Sequence, residues 1–238
     1  MSAKVQFNAP DYFNLDDLLT DEQKIVRSAM RDWVDRSVKP VIEEYNEKAK
    51  FPDNLVKEIG EMGGFGPFIP EEYGGAGLDY ISYGLIMQEL ERGDTAIRSL
   101  ASVQSSLVMY PIFTYGSEQQ KKKYLPRLAK GEIIGCFGLT EPNHGSDPGS
   151  MITRIKDMGD HYLLNGAKMW ITNSSIADVG VVWAKDDKEI VRGVIIEKGW
   201  QGNTAPETHG KWSLRASVTG EMVFDNVKVP KENILPNV

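Results

Sequence analysis

The feature that most constrains this chain is a change of period at Gly131. Upstream, apolar residues recur at helical spacing: Ile25, Val26, Ala29, Met30, Trp33, Val34 and Val38 form one stripe. Downstream the apolar residues gather in short blocks: Ile133 to Leu139, Val179 to Ala184, Val191 to Glu197 and Gly220 to Val229. Helices first and strands afterwards point to an α+β fold, not to alternating βαβ units. The spacing predicts an all-helical domain over residues 1–130 and an antiparallel β-sheet or barrel over residues 131–238.

The helical half carries its own punctuation. Residues 1–19 read as an arm with Leu15, Leu18 and Leu19 able to dock. Thr20 and Gln23 have capping-box spacing, and Ser117 and Gln120 repeat it. Pro40 divides the first helix. A short helix follows from Pro52 to Met62, ended by Gly63 and Gly64. Phe65 to Tyr80, rich in Gly and Pro, is a shaped loop whose Phe65, Phe68, Ile69 and Tyr73 pack down or line a cleft. Residues 80–93 form a helix with Ile81, Leu85, Ile86 and Leu90 on one stripe. Thr95 to about Tyr115 is almost uncharged after Arg98 and reads as a buried helix. In the second half, Asn165-Gly166 between Tyr162–Leu164 and Lys168–Thr172 is a hairpin signal. Asp186-Asp187-Lys188 predicts a second hairpin.

The net charge of −7 and the absence of a basic block argue against nucleic acid as a partner. Lys121-Lys122-Lys123 sits in a helical pattern and reads as a solvated face. No apolar run approaches the length of a membrane span, and no transit or signal peptide is legible at the start. The single cysteine, Cys136, lies in a strand block and reads as a buried residue; one cysteine forms no internal disulfide. Its setting fits a reducing, cytoplasmic compartment, or the mitochondrial matrix if the source is eukaryotic. The three histidines lack metal-ligand spacing, so no metal is expected. There is no GxGxxG after a strand, no GxxxxGK[ST], no HExxH and no GxSxG.

One polar loop stands out. Gly135-Cys136-Phe137-Gly138 leads into Leu139-Thr140-Glu141-Pro142-Asn143-His144-Gly145-Ser146-Asp147. Such a loop offers hydroxyls and backbone N–H groups to a flat ligand with a polar edge. Pro142 fixes one angle, and Gly145 admits conformations closed to other residues.

Leu139 to Asp147 resembles the flavin-binding signature of the acyl-CoA dehydrogenases. Lys168-Met169-Trp170-Ile171-Thr172-Asn173 resembles the second flavin segment of that family. Phe224 to Pro230, with Glu232-Asn233 and Leu235, is similar to the exit from the family's middle domain. Glu89-Leu90-Glu91-Arg92-Gly93-Asp94, Arg98-Ser99, the tract Ser102 to Met109, and Ser213 to Ser217 resemble the glutaryl-CoA dehydrogenase branch. The likeness runs from about residue 13 to the last residue.

The resemblance implies FAD as cofactor, held by Phe137, Gly138, Leu139, Thr140, Gly145, Ser146, Trp170, Ile171 and Thr172. Trp170 would cover one ring face, Thr172 would lie near N5, and Thr140 would lie near the pyrimidine edge. Ser146 would reach the pyrophosphate or the CoA. It implies an acyl-CoA substrate, glutaryl-CoA by branch, with Glu91, Arg98, Ser99 and Ser146 as substrate-binding residues. Arg98 would hold the distal carboxylate, since guanidinium forms a planar two-bond fork. A monocarboxylic substrate would then leave Arg98 unpaired, at roughly 3–5 kcal/mol. The implied reaction removes the α-proton and passes the β-hydrogen to flavin, usually with loss of CO2 to give crotonyl-CoA. Electron-transferring flavoprotein is the implied acceptor, and the whole enzyme is implied to be a homotetramer.

The family's third, helical domain carries the catalytic glutamate, and this chain has no match to it. We therefore expect a two-domain portion of the enzyme, inactive alone, with no catalytic residue assigned within it. Glu141 is read as structural, and His144 is given no chemistry. Two alternatives stay open: a dehydrogenase for another short or branched acyl-CoA, and a non-catalytic module on the same scaffold.

Overall fold

A computed structural model describes residue 10 and residues 12–238. Much of the expected arm, residues 1–9 and 11, lies outside the described residues. Leu15 and Leu18 are exposed. Helix α1 spans Asp21–Trp33, and its capping box forms as the sequence implies. The Gln23 N–H donates to Thr20 Oγ1 at 3.2 Å, and the Thr20 N–H donates to Gln23 Oε1 at 3.0 Å. The helix widens into a π-type turn over Val34–Val38 and breaks at Pro40. Helix α2 follows over Ile42–Lys48 and α3 over Asn54–Glu61.

The Gly- and Pro-rich loop packs down: Phe65, Ile69 and Tyr73 are buried. Helix α4 spans Tyr80–Gly93 and α5 Thr95–Ser102. A π-type stretch, Val103–Met109, carries the chain without a break into α6, Tyr110–Tyr115. The helix expected from Thr95 to Tyr115 is thus continuous, with its middle turns widened. Helix α7 spans Glu118–Ala129. Four stripe residues are not buried. Val26 is half-buried and Ala29 is exposed. Ile25 and Ile81 face out, because α1 and α4 each bury a narrower face than the apolar pattern suggests.

Seven strands follow: β1 Gly135–Gly138, β2 Arg154–Asp157, β3 His161–Thr172, β4 Val179–Lys185, β5 Val191–Glu197, β6 Asn203–Thr204 and β7 Thr219–Pro230. They form one sheet in the order β1-β4-β2-β3-β7-β6, with β5 also pairing β4. Most pairings are antiparallel. β1 runs parallel to β4 in the register Gly135↔Val179 to Gly138↔Val182, and a single parallel bridge joins Arg154 to Lys185.

The hairpin expected at Asn165-Gly166 is absent. β3 runs straight through it and pairs with β7 along its length, with a register shift between Leu164 and Gly166. A Cβ on Gly166 would fall 2.7 Å from Thr153 Cα, and its φ is 140°. The glycine serves a bulge under a close crossing, not a turn. The second expected hairpin, β4 to β5, forms.

The alternation along β4 and β5 explains their unbroken apolar runs. Val179, Val181 and Ile195 join the core shared with the helices, whereas Val182, Ala184, Val194 and Ile196 join a second core inside the curled sheet. Both faces are buried, so neither strand needs a polar side. Cys136 lies in that inner core, its thiol pushed up to about 12 by burial.

Candidate functional site

One side of the site begins where β1 ends. Gly138 lies in the inner sheet, where an added Cβ would come 3.1 Å from Lys168 Cγ. Phe137 points to the helix side and meets Trp183 edge-on, at 6.2 Å between ring centres. The chain then leaves the sheet through Leu139 and Thr140. The Met169 N–H donates to Thr140 O at 2.8 Å, and Lys168 Nζ donates to Leu139 O at 3.1 Å. Leu139 and Thr140 therefore lie against β3, one residue from Trp170. The Glu141 and His144 backbones exchange hydrogen bonds of 3.3 and 3.2 Å, closing the turn at Pro142-Asn143. Gly145 and Ser146 are exposed beyond it, and a Cβ on Gly145 would sit 3.9 Å from Thr140 Cγ2.

The other side is a second bulge in β3. Register slips between Lys168 and Ile171, and Trp170 adopts φ 58°, in the left-handed region. That conformation is costly for a side chain this large. It turns the indole away from the strand's normal alternation, and Trp170 is 68% exposed. Ile171 returns to the core and Thr172 pairs with Thr219. Asn173, also at positive φ, is buried, and its Nδ2 donates to Gly135 O at 3.1 Å.

These features suit a flat heteroaromatic group. An uncovered indole supplies a stacking face. Among the described residues, the hydroxyls of Thr140, Ser146 and Thr172 make no hydrogen bond within the chain, which leaves them for a polar edge. No described group of His, Cys, Asp and Glu is arranged to hold a metal ion.

The remaining expected residues form a second cluster at the corner of α4 and α5. Arg98 Nε donates to Glu91 Oε2 at 2.6 Å, and Thr95 Oγ1 donates to Glu91 Oε1 at 2.6 Å. Arg98 Nη1 reaches Ser102 Oγ at 3.4 Å, and that hydroxyl donates to Ser99 O at 3.1 Å. Burial pushes the Glu91 carboxyl up, but Thr95 and Arg98 together hold it below its ordinary value. Among the described residues, no hydrogen bond joins this cluster to the loop after β1 or to β3. The expectation that a monocarboxylic substrate would leave Arg98 unpaired meets a partner already in place. Glu91 occupies Arg98, because the two lie on facing turns across Gly93 and Asp94.

Gln104 and the Lys168–Glu141 pair, outside the expected set, tie the site together. Gln104, on the π-type stretch, is fully buried. Its Oε1 accepts the Gly135 N–H at 2.7 Å, and its Nε2 donates to Leu128 O and Ile133 O at 2.9 Å each. It fixes the start of β1 against the helices. Lys168 and Glu141 form a buried ion pair at 2.8 Å, with side chains 0% and 1% exposed. The sequence signal for both was composition: a Gln in an apolar helix and a Lys in an apolar strand each need a buried partner.

Comparison with known proteins matches residues 20–132 to the acyl-CoA dehydrogenase N-terminal domain and residues 136–227 to the acyl-CoA dehydrogenase middle domain. A short-chain-specific acyl-CoA dehydrogenase of Clostridium acetobutylicum is 42% identical over 91% of this chain and 58% of its own length. A glutaryl-CoA dehydrogenase of Desulfococcus multivorans is 40% identical with the same coverage. The crystal structure of a glutaryl-CoA dehydrogenase from Mycobacterium smegmatis in complex with FADH2 superimposes with a TM-score of 0.93. It is 48% identical, covering 95% of this chain and 58% of that one. The chain thus spans just over half the length of these relatives.

Proposed function

Since the chain belongs to the acyl-CoA dehydrogenase family, we propose that it is the flavin- and substrate-cradling portion of an FAD-dependent glutaryl-CoA dehydrogenase. Bound FAD would accept the β-hydrogen of the acyl group as hydride. Phe137, Gly138, Leu139, Thr140, Gly145, Ser146, Trp170, Ile171 and Thr172 would hold the cofactor. Trp170 offers the stacking face, while Thr140 and Thr172 offer hydroxyls at the ring edge. Ser146, exposed farther out on the loop, would meet phosphate groups.

The observation that carries the substrate is Arg98, with Glu91, Ser99 and Ser102 around it. A fixed guanidinium at a helix corner suits a second carboxylate at the far end of an acyl chain. Glutaryl-CoA has that carboxylate and butyryl-CoA does not. A short-chain-specific enzyme is as similar as a glutaryl one, so overall identity does not choose between them; Arg98 is what supports the glutaryl reading. Product decarboxylation to crotonyl-CoA, an electron-transferring flavoprotein as acceptor and a tetrameric whole enzyme complete the proposal.

The base that removes the α-proton lies outside these residues. Glu141 is pushed up by burial but held down to about 2 by Lys168, Thr153 and two backbone N–H groups, so it stays ionised and fully engaged. Glu91 is committed to Arg98 and Thr95. A general base must be within reach of the proton and free to take it.

The test is the visible spectrum of the purified chain titrated with FAD, before and after anaerobic glutaryl-CoA. Bound flavin that is not bleached agrees with the proposal. Rapid bleaching puts a base among these residues and overturns that part of it. Absence of any flavin uptake overturns the cofactor assignment.

A further inference from the structure

The Lys168–Glu141 pair is buried more completely than any other ion pair among the described residues. Burying two charges costs several kcal/mol per ion unless geometry and extra hydrogen bonds compensate. Here nearly every lone pair and proton is used. Glu141 Oε1 accepts from Lys168 Nζ at 2.8 Å and from the Thr153 N–H at 3.0 Å. Glu141 Oε2 accepts from the Ile152 N–H at 2.7 Å. Lys168 Nζ also donates to Leu139 O at 3.1 Å and lies 3.9 Å from Met151 Sδ. Burial draws the Lys168 ammonium below its ordinary value, and Glu141 opposes that.

The pair joins three segments at one point: the loop after β1, the approach to β2, and β3. Lys168 is two residues from Trp170 and four from Thr172. Its bond to Leu139 O runs beside the Met169 N–H bond to Thr140 O. Two adjacent β3 residues thus grip two adjacent loop residues. A hydrophobic pair could fill the same space, but it would not fix the loop's height and rotation over the sheet. It would also leave the Ile152 and Thr153 N–H groups unsatisfied.

We propose that Lys168 and Glu141 are positioning residues that hold Leu139-Thr140 at a set spacing from Trp170 and Thr172, so that both sides of the flavin cradle are formed before FAD arrives. The proposal rests on the flavin reading above. Neither side chain touches the cofactor; each acts through the loop it holds.

The test compares the chain with Glu141→Gln/Lys168→Met and with Glu141→Asp. The double variant removes both charges and keeps an acceptor for the backbone N–H groups. The single variant keeps the charge and shortens the reach. Thermal melting and circular dichroism establish folding, hydrogen exchange reads residues 139–146, and FAD titration reads affinity and the fine structure of the visible band. The expected result is a folded double variant whose loop amides exchange at least about tenfold faster. Its FAD dissociation constant rises at least about tenfold and the flavin band loses structure, with Glu141→Asp intermediate.

A folded variant with unchanged loop exchange overturns the proposal. So does faster exchange with unchanged FAD binding, which would make the pair structural only. Absence of FAD uptake by the parent chain overturns the flavin reading and this proposal together. Unaltered uptake by folded variants overturns this proposal alone. Should neither variant fold, the parent chain decides. Its Ile152, Thr153 and Met169 amides are expected to exchange as slowly as the β3–β7 ladder, and exchange at open-loop rates would overturn the assignment.

Discussion

Arg98 and Glu91 form an ion pair at 2.6 Å while remaining 34% and 46% exposed. A substrate carboxylate would therefore displace a partner rather than meet an empty guanidinium. The discrimination this allows is well below the 3–5 kcal/mol of an isolated buried Arg, because a part-exposed pair is worth only about 1 kcal/mol. In the whole enzyme, Arg98→Ala is expected to reduce the glutaryl-CoA over butyryl-CoA preference in kcat/KM by about tenfold. Glu91→Gln removes the competitor and is expected to move that preference the other way. A glutaryl preference unchanged by Arg98→Ala would refute the role of Arg98.

Gln104 should matter to stability out of proportion to its size. Replacing it with Leu leaves the Gly135 N–H and the Ile133 carbonyl buried without their partner, while the Leu128 carbonyl keeps the Gly131 N–H at 3.1 Å. The expected cost is about 2–4 kcal/mol, since each buried unsatisfied group costs roughly 1–3 and the two are not fully additive. Urea unfolding measures it, and a loss under 1 kcal/mol would mean water replaces the side chain.

Trp170 is predicted to trade stability for binding. Glycine accepts φ 58° freely, so Trp170→Gly relieves strain of about 1–2 kcal/mol while giving up an indole that is mostly in solvent. The melting temperature should hold or rise while FAD affinity falls. A lower melting temperature would show that the indole contributes to the fold more than the bulge costs.

Acid should loosen the fold through Glu141. Its folded-state value is about 2 against an ordinary 4.5, so the stability it contributes is complete above about pH 4.5 and is lost as pH falls toward 2. Asp35, also held at about 2 by Arg92 and Lys39, follows the same direction but sits near the surface and should weigh less. Urea midpoints measured across this window should fall, and the Glu141→Gln/Lys168→Met protein should show a shallower fall. Equal slopes would assign the acid response to other carboxylates.

The helical half was legible because its signals are local. A capping box needs only Thr20 and Gln23 in order, and the apolar spacing that makes α1 lies within a dozen residues. The sheet was legible as strands but not as pairings. Asn165-Gly166 has the chemistry of a tight turn, yet β3 continues because β7, some sixty residues on, offers it a partner and Thr153 crosses close above Gly166. The parallel β1–β4 pairing has no mark in either strand. At the site, Trp170 and Thr140 could be named from the family likeness, and in the structure the N–H of Met169, the residue before Trp170, donates to Thr140 O. The Glu91 partner of Arg98 was named as a pocket residue but not as its ion-pair mate, since that depends on the angle between α4 and α5.

The chain's last residues reach back to its helices. Gln120 Nε2 donates to Glu232 O and Ile234 O, Asn237 N–H donates to Tyr115 O, and Arg215 holds the carbonyls of Asn46 and Glu47. During synthesis, the helices therefore emerge from the ribosome long before the segments that seal them. Their apolar seam must wait for Val179, Ile195 and Leu235, which follow the end of α7 at Ala129 by 50, 66 and 106 residues. Until the sheet is made, that seam stays open to solvent, the kind of apolar surface that chaperones cover.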